Sequence, residues 1–304
     1  MPEISIIMPS YNGREFIAEA IQSVIEQTYT DWELLIFDDG STDDTESVVR
    51  PFLEDKRIRY EKQENLGQPK TRNKGVRMAR GRLIALLDSD DVWLPEKLAR
   101  QAAIFERFPE VGVCATGMTI IDPKSQVTAN PVWKTFHGRA LPALVTEELK
   151  VGMSTSVTRR VVFDDIGYFD EGYLPFSMDF DFWLRVALKY DFYLIGENLT
   201  RYRVGQSSIS SRGGERRRQL IIKVVIPRFM NEYGGRHHVR WSDVRTLRGN
   251  MCKARADRSP SWLAALGWYL RALANKPFRG EYWKGMIGRL FPGLVRRVKR
   301  NKKS

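Results

Sequence analysis

The chain has 304 residues, 42% hydrophobic and 28% charged, with a formal net charge of +12. That composition supports a real core in one large domain, or a domain with an appendage, and excludes a disordered chain. Two cysteines without a pairing pattern, Cys114 and Cys252, fit a reducing compartment. No apolar run reaches the ~18 residues of a membrane span, and Met1 leads almost directly into a strand, so no signal peptide is expected.

In chain order, "EISIIMPSYN" is a short apolar strand that ends in turn residues. Phe16, Ile17, Ala20, Ile21, Val24 and Ile25 then recur at helical spacing. "WELLIFDDGSTDDT" repeats the unit: a buried strand, acids and a Gly-Ser turn, with Thr42 or Asp43 capping the next helix. "RIRYEKQE" is a third strand and "GQPKTRNKGVRMARG" a helix closed by Gly81. "RLIALLDSDD" is a fourth strand, and "LPEKLARQAAIFERF" a helix with Pro95 near its start. Farther on, "GVCATGMTIID" and "GMSTSVTRRVVFDDIGYFDE" hold strands, "SMDFDFWLRVALKYD" is a helix, and "FYLIGENLTRYRV" is a strand pair or one bent strand.

This alternation predicts an α/β fold, a mostly parallel sheet with helices on both faces. Ligands of such sheets sit beyond the carboxyl ends of the strands. Two expected strand ends carry acids: Asp38-Asp39, and Asp88 with Asp90 and Asp91. Three carboxylates within four positions repel one another, so they call for a positive partner. Hard oxygen ligands directed at one point suit Mg2+ or Mn2+ together with substrate phosphate oxygens. Asp88 and Asp91 equally suit the start of the next helix. Asp38-Asp39-Gly40-Ser41 reads as a plain turn, or as a carboxylate acceptor for a base N–H, with Tyr11 offering a stacking face.

The stretches "SIIMPSYNGREFIAEAIQSVIEQTYTDWELLIFDDGSTDDT", "NLGQPKTRNKGVRMARG" and "LLDSDDVWLPEKL" resemble, in order and spacing, the family 2 glycosyltransferases of the GT-A fold. The likeness covers roughly residues 3–210. It implies an inverting, metal-dependent enzyme that uses a nucleotide sugar, with a UDP-sugar favoured. It further implies that Asp38 and Asp39 lie at the nucleotide, with Asp39 reading the base among Pro9, Tyr11 and Asn12. Arg72 would lie near the nucleotide, Asp88 at the ribose or metal, and Asp90 on the Mn2+ or Mg2+ that bridges the diphosphate. The family's late Glu-Asp pair falls at "SMDFDFWLRV": Asp179 would be the general base, and Met178 replaces the Glu. A His common near "Y-R-x-H" is Gly205 here, and no metal ligand is assigned among His137, His237 and His238. A nucleotidyltransferase of related fold is the same-fold rival, though "PSYNGREF" is a poor phosphate loop. A catalytically inactive membrane-docked scaffold is the non-enzyme rival.

Charge divides the chain. Residues 211–304 hold 24 Lys+Arg against 5 Asp+Glu, and residues 1–210 hold 25 against 32. A catalytic domain at 1–212 and a basic, mostly helical C-terminal extension at 213–304 are therefore expected. In "SPSWLAALGWYLRALAN", Ser259 is expected to cap a helix on which Trp262, Leu263, Leu266, Tyr269, Leu270 and Leu273 form a broad apolar sector. The mixture of Trp, Phe, Leu, Lys and Arg beyond it suits an anionic membrane surface, or a packed appendage with solvated charges. Nucleic acid is a weaker partner, since no motif for it accompanies the charge. The resulting expectation is a cytoplasmic protein, peripheral on the inner face of the cell membrane, whose acceptor is a lipid-linked or surface glycan.

Overall fold

The computed structural model describes residues 1–172, 177–205, 217–259 and 261–290, apart from the side chains of Trp262 and of residues 288–290. Two compact units result: residues 1–140 with 151–229, and residues 141–150 with 230–304. The expected boundary at 212–213 lies outside the described residues, and the first unit runs on to Phe229.

The elements in chain order are β1 (Ile4–Ser10), α1 (Ile17–Ile25), β2 (Trp32–Asp38), α2 (Thr45–Val49), β3 (Ile58–Lys62), α3 (Gln68–Met78), β4 (Leu83–Leu86), β5 (Val92–Trp93) and α4 (Lys97–Arg107). They continue with β6 (Val111–Ile121), β7 (Val127–Ala129), β8 (Phe136–Gly138), α5 (Leu141–Val145), β9 (Ser156–Arg159), α6 (Arg160–Ile166), α7 (Met178–Val186) and β10 (Asp191–Arg203). The last helices are α8 (Ile226–Glu232), α9 (Trp241–Arg258), α10 (Trp262–Asn275) and α11 (Gly280–Leu290).

The sheet runs β3-β2-β1-β4-β9-β6-β10-β5. Its first four strands are parallel, so their carboxyl ends share one edge. Every residue of β1, β2 and β4 is buried, as expected of strands covered on both faces. β9 enters antiparallel between β4 and β6. β10 is one bent strand, whose pairing with β6 shifts register around Ile195 and Asn198. Helix α3 lies close on the sheet: a Cβ at Gly75 would stand 2.4 Å from Ile7 Cγ2, so only glycine fits there.

One buried arginine fixes the turn after β4. The Arg203 backbone N–H donates to Asp91 Oδ1 at 2.8 Å, and its Nε donates to the Asp90 carbonyl at 2.7 Å. Nη1 reaches the Asp122 carbonyl and Ser125 Oγ, Nη2 reaches Glu19 Oε2 at 2.6 Å, and the guanidinium lies over the Phe16 ring. The end of β10 is thereby tied to α1, to the 122–125 turn and to the acids.

In the second unit Ala256, Ala265, Tyr269, Ala272, Leu273, Tyr282 and Met286 form a small core of their own. The apolar sector of α10 is thus divided. Tyr269 and Leu273 are buried, while Leu263 and Leu270 are 62% and 53% exposed. Ser259 does not cap α10: its Oγ donates to the Arg255 carbonyl and closes α9, and Ser261 holds the cap position. Among the described residues no helix is long and apolar enough to cross a membrane.

Lys97 is fully buried, donating to Gln101 Oε1 at 2.7 Å with its ammonium over the Trp93 ring. Burial pulls its pKa from the ordinary 10.5 down to about 7. Between those values the unfolded chain holds a proton that the folded chain lacks, so this residue makes stability rise with pH across the window. In Lys97→Met that rise should flatten, as read by urea unfolding at pH 7 and pH 9. Arg203→Met should cost roughly 2–3 kcal/mol, the scale of leaving buried carbonyls without donors. Arg203→Lys should recover only part of it, because an ammonium cannot reach all these acceptors at once. Denaturant titration checks both.

Candidate active site

The site begins where β1 and β2 end side by side. Ser10 pairs with Asp38, and the Asp39 N–H donates to the Ser10 carbonyl at 2.8 Å. Pro9 and Ser10 are buried, whereas Tyr11 is 54% exposed. Asn12 adopts a left-handed φ of 51°, a conformation that asparagine tolerates better than most residues. Its N–H donates to Ser41 Oγ at 2.8 Å, and its Oδ1 accepts the Thr42 N–H at 2.9 Å. The first loop is therefore locked to the second, and the Tyr11 ring remains accessible.

Asp38 and Asp39 do different things. Asp38 is buried and accepts the Ser41 N–H at 2.7 Å and the Tyr60 hydroxyl at 2.6 Å. Burial, and then the Asp38 carboxylate, push the Tyr60 phenol far above its ordinary value and keep it a donor. Asp39 Oδ1 accepts Gln63 Nε2, the Leu66 N–H and Thr71 Oγ1, and its Oδ2 accepts the Gly67 N–H at 2.9 Å. Gly67 holds a φ of 84°, which presents that N–H. Oδ2 carries one hydrogen bond where a carboxylate oxygen accommodates two, so one acceptor direction remains.

The turn after β4 lies against the first loop, since a Cβ at Gly13 would stand 3.3 Å from Ser89 Oγ. The Asp88 N–H donates to Ser154 Oγ, and Arg72 Nη2 donates to Asp88 Oδ1. Asp91 is buried; burial, then Asp90 and Asp88, raise its carboxyl well above the usual range. Burial, then the Asp88 charge, push the Asp90 carboxyl up to about 6. The two arginines whose charge reaches Asp90, Arg203 and Arg72, form their ion pairs with Glu19 and Asp88 instead.

Arg72 joins this turn to the start of α7. It is 1% exposed, and its Nη1 donates to Gln68 Oε1 at 3.1 Å and lies 3.9 Å from Met178 Sδ. Its neighbour Asn73 holds Phe169 and Glu171. Asp179, next to Met178, is half-buried. Its Oδ1 accepts the Phe180 N–H at 2.8 Å, and Arg217 Nη2 pairs with its Oδ2 at 3.1 Å. Asp181 instead pairs with Arg185, which also holds the Ile166 and Tyr168 carbonyls, a structural role. Phe182 and Trp183 are core residues.

Pro9, Tyr11, Asn12, Asp38 and Asp39 thus form one group. Asp88, Asp90, Arg72 and Asp179 form a second, joined to it by the Gly13–Ser89 contact. His137 sits apart, paired with Glu110 beside Phe108 and Tyr193, and Gly205 stands beside Pro123. Sequence reasoning passed over Arg203, Arg217 and Ser154. Arg203 lies in "RYRVG", a stretch read only for its missing His. Its signal was a cation at the end of a long strand, two residues beyond Arg201.

Two carboxylates on a strand-end turn fit a hard divalent cation that takes its remaining ligands from water and phosphate. Half-buried Asp90, which forms no ion pair among the described residues, is the observation that favours the fit. Among the described residues no cluster of three or more His, Cys, Asp or Glu is placed to hold a metal ion.

Comparison with known proteins gives the family and the fold. The family model described as glycosyl transferase family 2 matches residues 5–167. The UDP-Glc:alpha-D-GlcNAc-diphosphoundecaprenol beta-1,3-glucosyltransferase WfgD of Escherichia coli is 33% identical over 215 residues, covering 68% of this chain and 79% of that protein. The fold is shared with S. aureus TarS 1–349 in complex with UDP-GlcNAc, at a TM-score of 0.60 and 18% identity over 95% of this chain and 91% of that one. It is also shared with the mannosyltransferase PcManGT from Pyrobaculum calidifontis in complex with GDP-Man and Mn2+, at a TM-score of 0.57 and 19% identity over 98% and 87% of the two chains. The chain belongs to the family 2 glycosyltransferases.

Proposed function

We propose that the chain moves a sugar, with inversion, from a UDP-sugar to a hydroxyl of a lipid-linked or cell-surface glycan. The observation that carries this reading is the placement of Arg72. It touches Asp88 on the nucleotide side and Met178, next to Asp179, on the other. Donor and acceptor chemistry thereby share one locus. The lipid-linked acceptor and UDP donor in the WfgD name, and UDP-GlcNAc in the TarS complex, support these substrate classes. Mn2+ in the PcManGT complex supports a divalent cation.

In this reading Tyr11 gives the base a stacking face. The remaining acceptor direction of Asp39 Oδ2 takes a base N–H. Asp88 and Asp90 hold Mn2+ or Mg2+, which when bound neutralises the diphosphate and eases departure of the nucleotide. Asp179 takes the proton from the acceptor hydroxyl as that oxygen attacks the anomeric carbon. Its second oxygen lies on Arg217, which holds the carboxylate in place until the acceptor arrives. One displacement by one base inverts the configuration, and no second nucleophilic carboxylate is needed.

The same reading places the protein at the cytoplasmic face of the cell membrane, where a lipid-linked acceptor is presented. In the second unit Leu263, Leu270, Phe278 and Trp283 are exposed, Phe278 at 98%. Arg271 and Lys284 are exposed on the same helices. Apolar side chains interleaved with cations suit an anionic headgroup boundary. Of the other residues expected there, Leu266 is half-buried. The Trp262 side chain, Phe291, Arg296, Arg297, Lys299, Arg300, Lys302 and Lys303 lie outside the described residues.

Two outcomes test these readings. Asp179→Asn should lower kcat by roughly 10²-fold or more while UDP affinity hardly moves, the scale of losing a general base; near-normal turnover would remove Asp179 from that role. The full chain should co-sediment with anionic vesicles, be partly released by salt, and bind several-fold less once Leu270 and Phe278 are both changed to Ser. Equal binding by that double variant would rule out insertion of these two side chains.

A further inference from the structure

The Arg72 guanidinium faces unlike neighbours. Nη2 is on Asp88, Nη1 is on the neutral Gln68 amide and beside the Met178 thioether, and Nε is buried with no partner. Among the described residues its one ion pair is with Asp88. Asp88 is also one of the two carboxylates proposed above for the cation, and the present inference rests on that reading. Arg72 occupies Oδ1 of Asp88, and a cation on either oxygen would draw on the same single negative charge as the buried guanidinium. A cation that takes Asp88 leaves Arg72 as a buried charge with no anion, which is costly. A carboxylate at position 178 would have relieved that cost, but Met178 is 4% exposed and neutral.

We infer that Arg72 is the resting counter-ion of Asp88, and that Met178 makes its release depend on the donor diphosphate. When diphosphate and cation arrive together, Arg72 exchanges the Asp88 carboxylate for a phosphate oxygen. Guanidinium is well suited to that exchange, since its fork matches carboxylate and phosphate alike. When the cation arrives alone, Arg72 has no second anion and holds Asp88. Cation and diphosphate therefore bind with strong mutual dependence, and by linkage each strengthens the other by the same factor. Met178, one of two positions where this chain departs from the family pattern, sets the size of that factor.

The test is Mn2+ binding to the full chain, read by electron paramagnetic resonance of free Mn2+, with and without UDP. The wild type should bind Mn2+ alone poorly and far more tightly with UDP. Met178→Glu supplies a second anion for Arg72. It should tighten Mn2+ binding without UDP by roughly tenfold, the scale of one charge-assisted hydrogen bond, and should shrink the effect of UDP. An added negative charge acting only through space would tighten Mn2+ binding with and without UDP alike, and would do so in an Arg72→Met background as well. Either of those results overturns the inference. If Met178→Glu does not fold, Arg72→Met carries the test, because removing the competitor should tighten binding of Mn2+ alone. Wild-type affinity for Mn2+ that is indifferent to UDP also overturns it. Asp90→Asn separates the two levels: if that variant binds Mn2+ with UDP as well as the wild type does, the cation site itself is misplaced. If it loses binding while Met178→Glu changes nothing, the cation site stands and the exchange by Arg72 does not.

Discussion

Crowding of negative charge at the end of β4 is the constraint to which the rest of the site answers. Asp88, Asp90 and Asp91 follow a strand whose residues are all buried, so little water screens their repulsion. The protein meets this unevenly. Asp88 receives the guanidinium of Arg72, and Asp91 receives the backbone N–H of Arg203. Asp90 forms no ion pair among the described residues, and burial, then the Asp88 charge, push its carboxyl up to about 6. The local penalty is tolerated because the strands, α3 and β10 around it are well packed.

The same two arginines carry the geometry outward. Arg203 joins the acids to α1 and to the 122–125 turn. Arg72 joins them to α7 and so to Asp179. Gly75 makes the second connection possible, because α3 could not lie so near Ile7 with any larger residue. On the opposite flank Asn12, Ser41 and Thr42 lock the first two loops together and leave Tyr11 outward. Binding and chemistry thus rest on short bridges between strand ends, each made by one or two side chains.

Within the parallel half, β1, β2 and β4 were legible because they are mostly apolar and are followed by turn residues or acids, whereas β3 is largely polar. Helix α1 followed from the spacing of its apolar residues, and α4 from Pro95 near its start. Other parts were not readable locally. α9 has Val244, Leu247 and Met251 on its buried side, but they lie among arginines that hide the period. β5, β7 and β8 have only two or three residues each, too few to show alternation. Ser259 carries the residue type of a helix start, yet a free carbonyl of the preceding helix lay within its reach. In the site, Asp38, Asp39, Asp88 and Asp90 stood out as acids at strand ends. Their partners did not, because Arg203 lies more than one hundred residues away in sequence and Arg217 follows a stretch without periodicity. Met178 was visible as a departure, but its consequence required knowing that Arg72 lies against it.

The central claim is that the acids after β4 receive the diphosphate of a nucleotide sugar. A crystal structure of the full chain with UDP and Mn2+ tests it most directly. The predicted result has the uracil by Tyr11 and Asp39, Mn2+ on Asp88 and Asp90, and Arg72 turned from Asp88 to a phosphate oxygen. UDP bound away from these strand ends, or bound there with Asp90 making no contact to Mn2+, would contradict it.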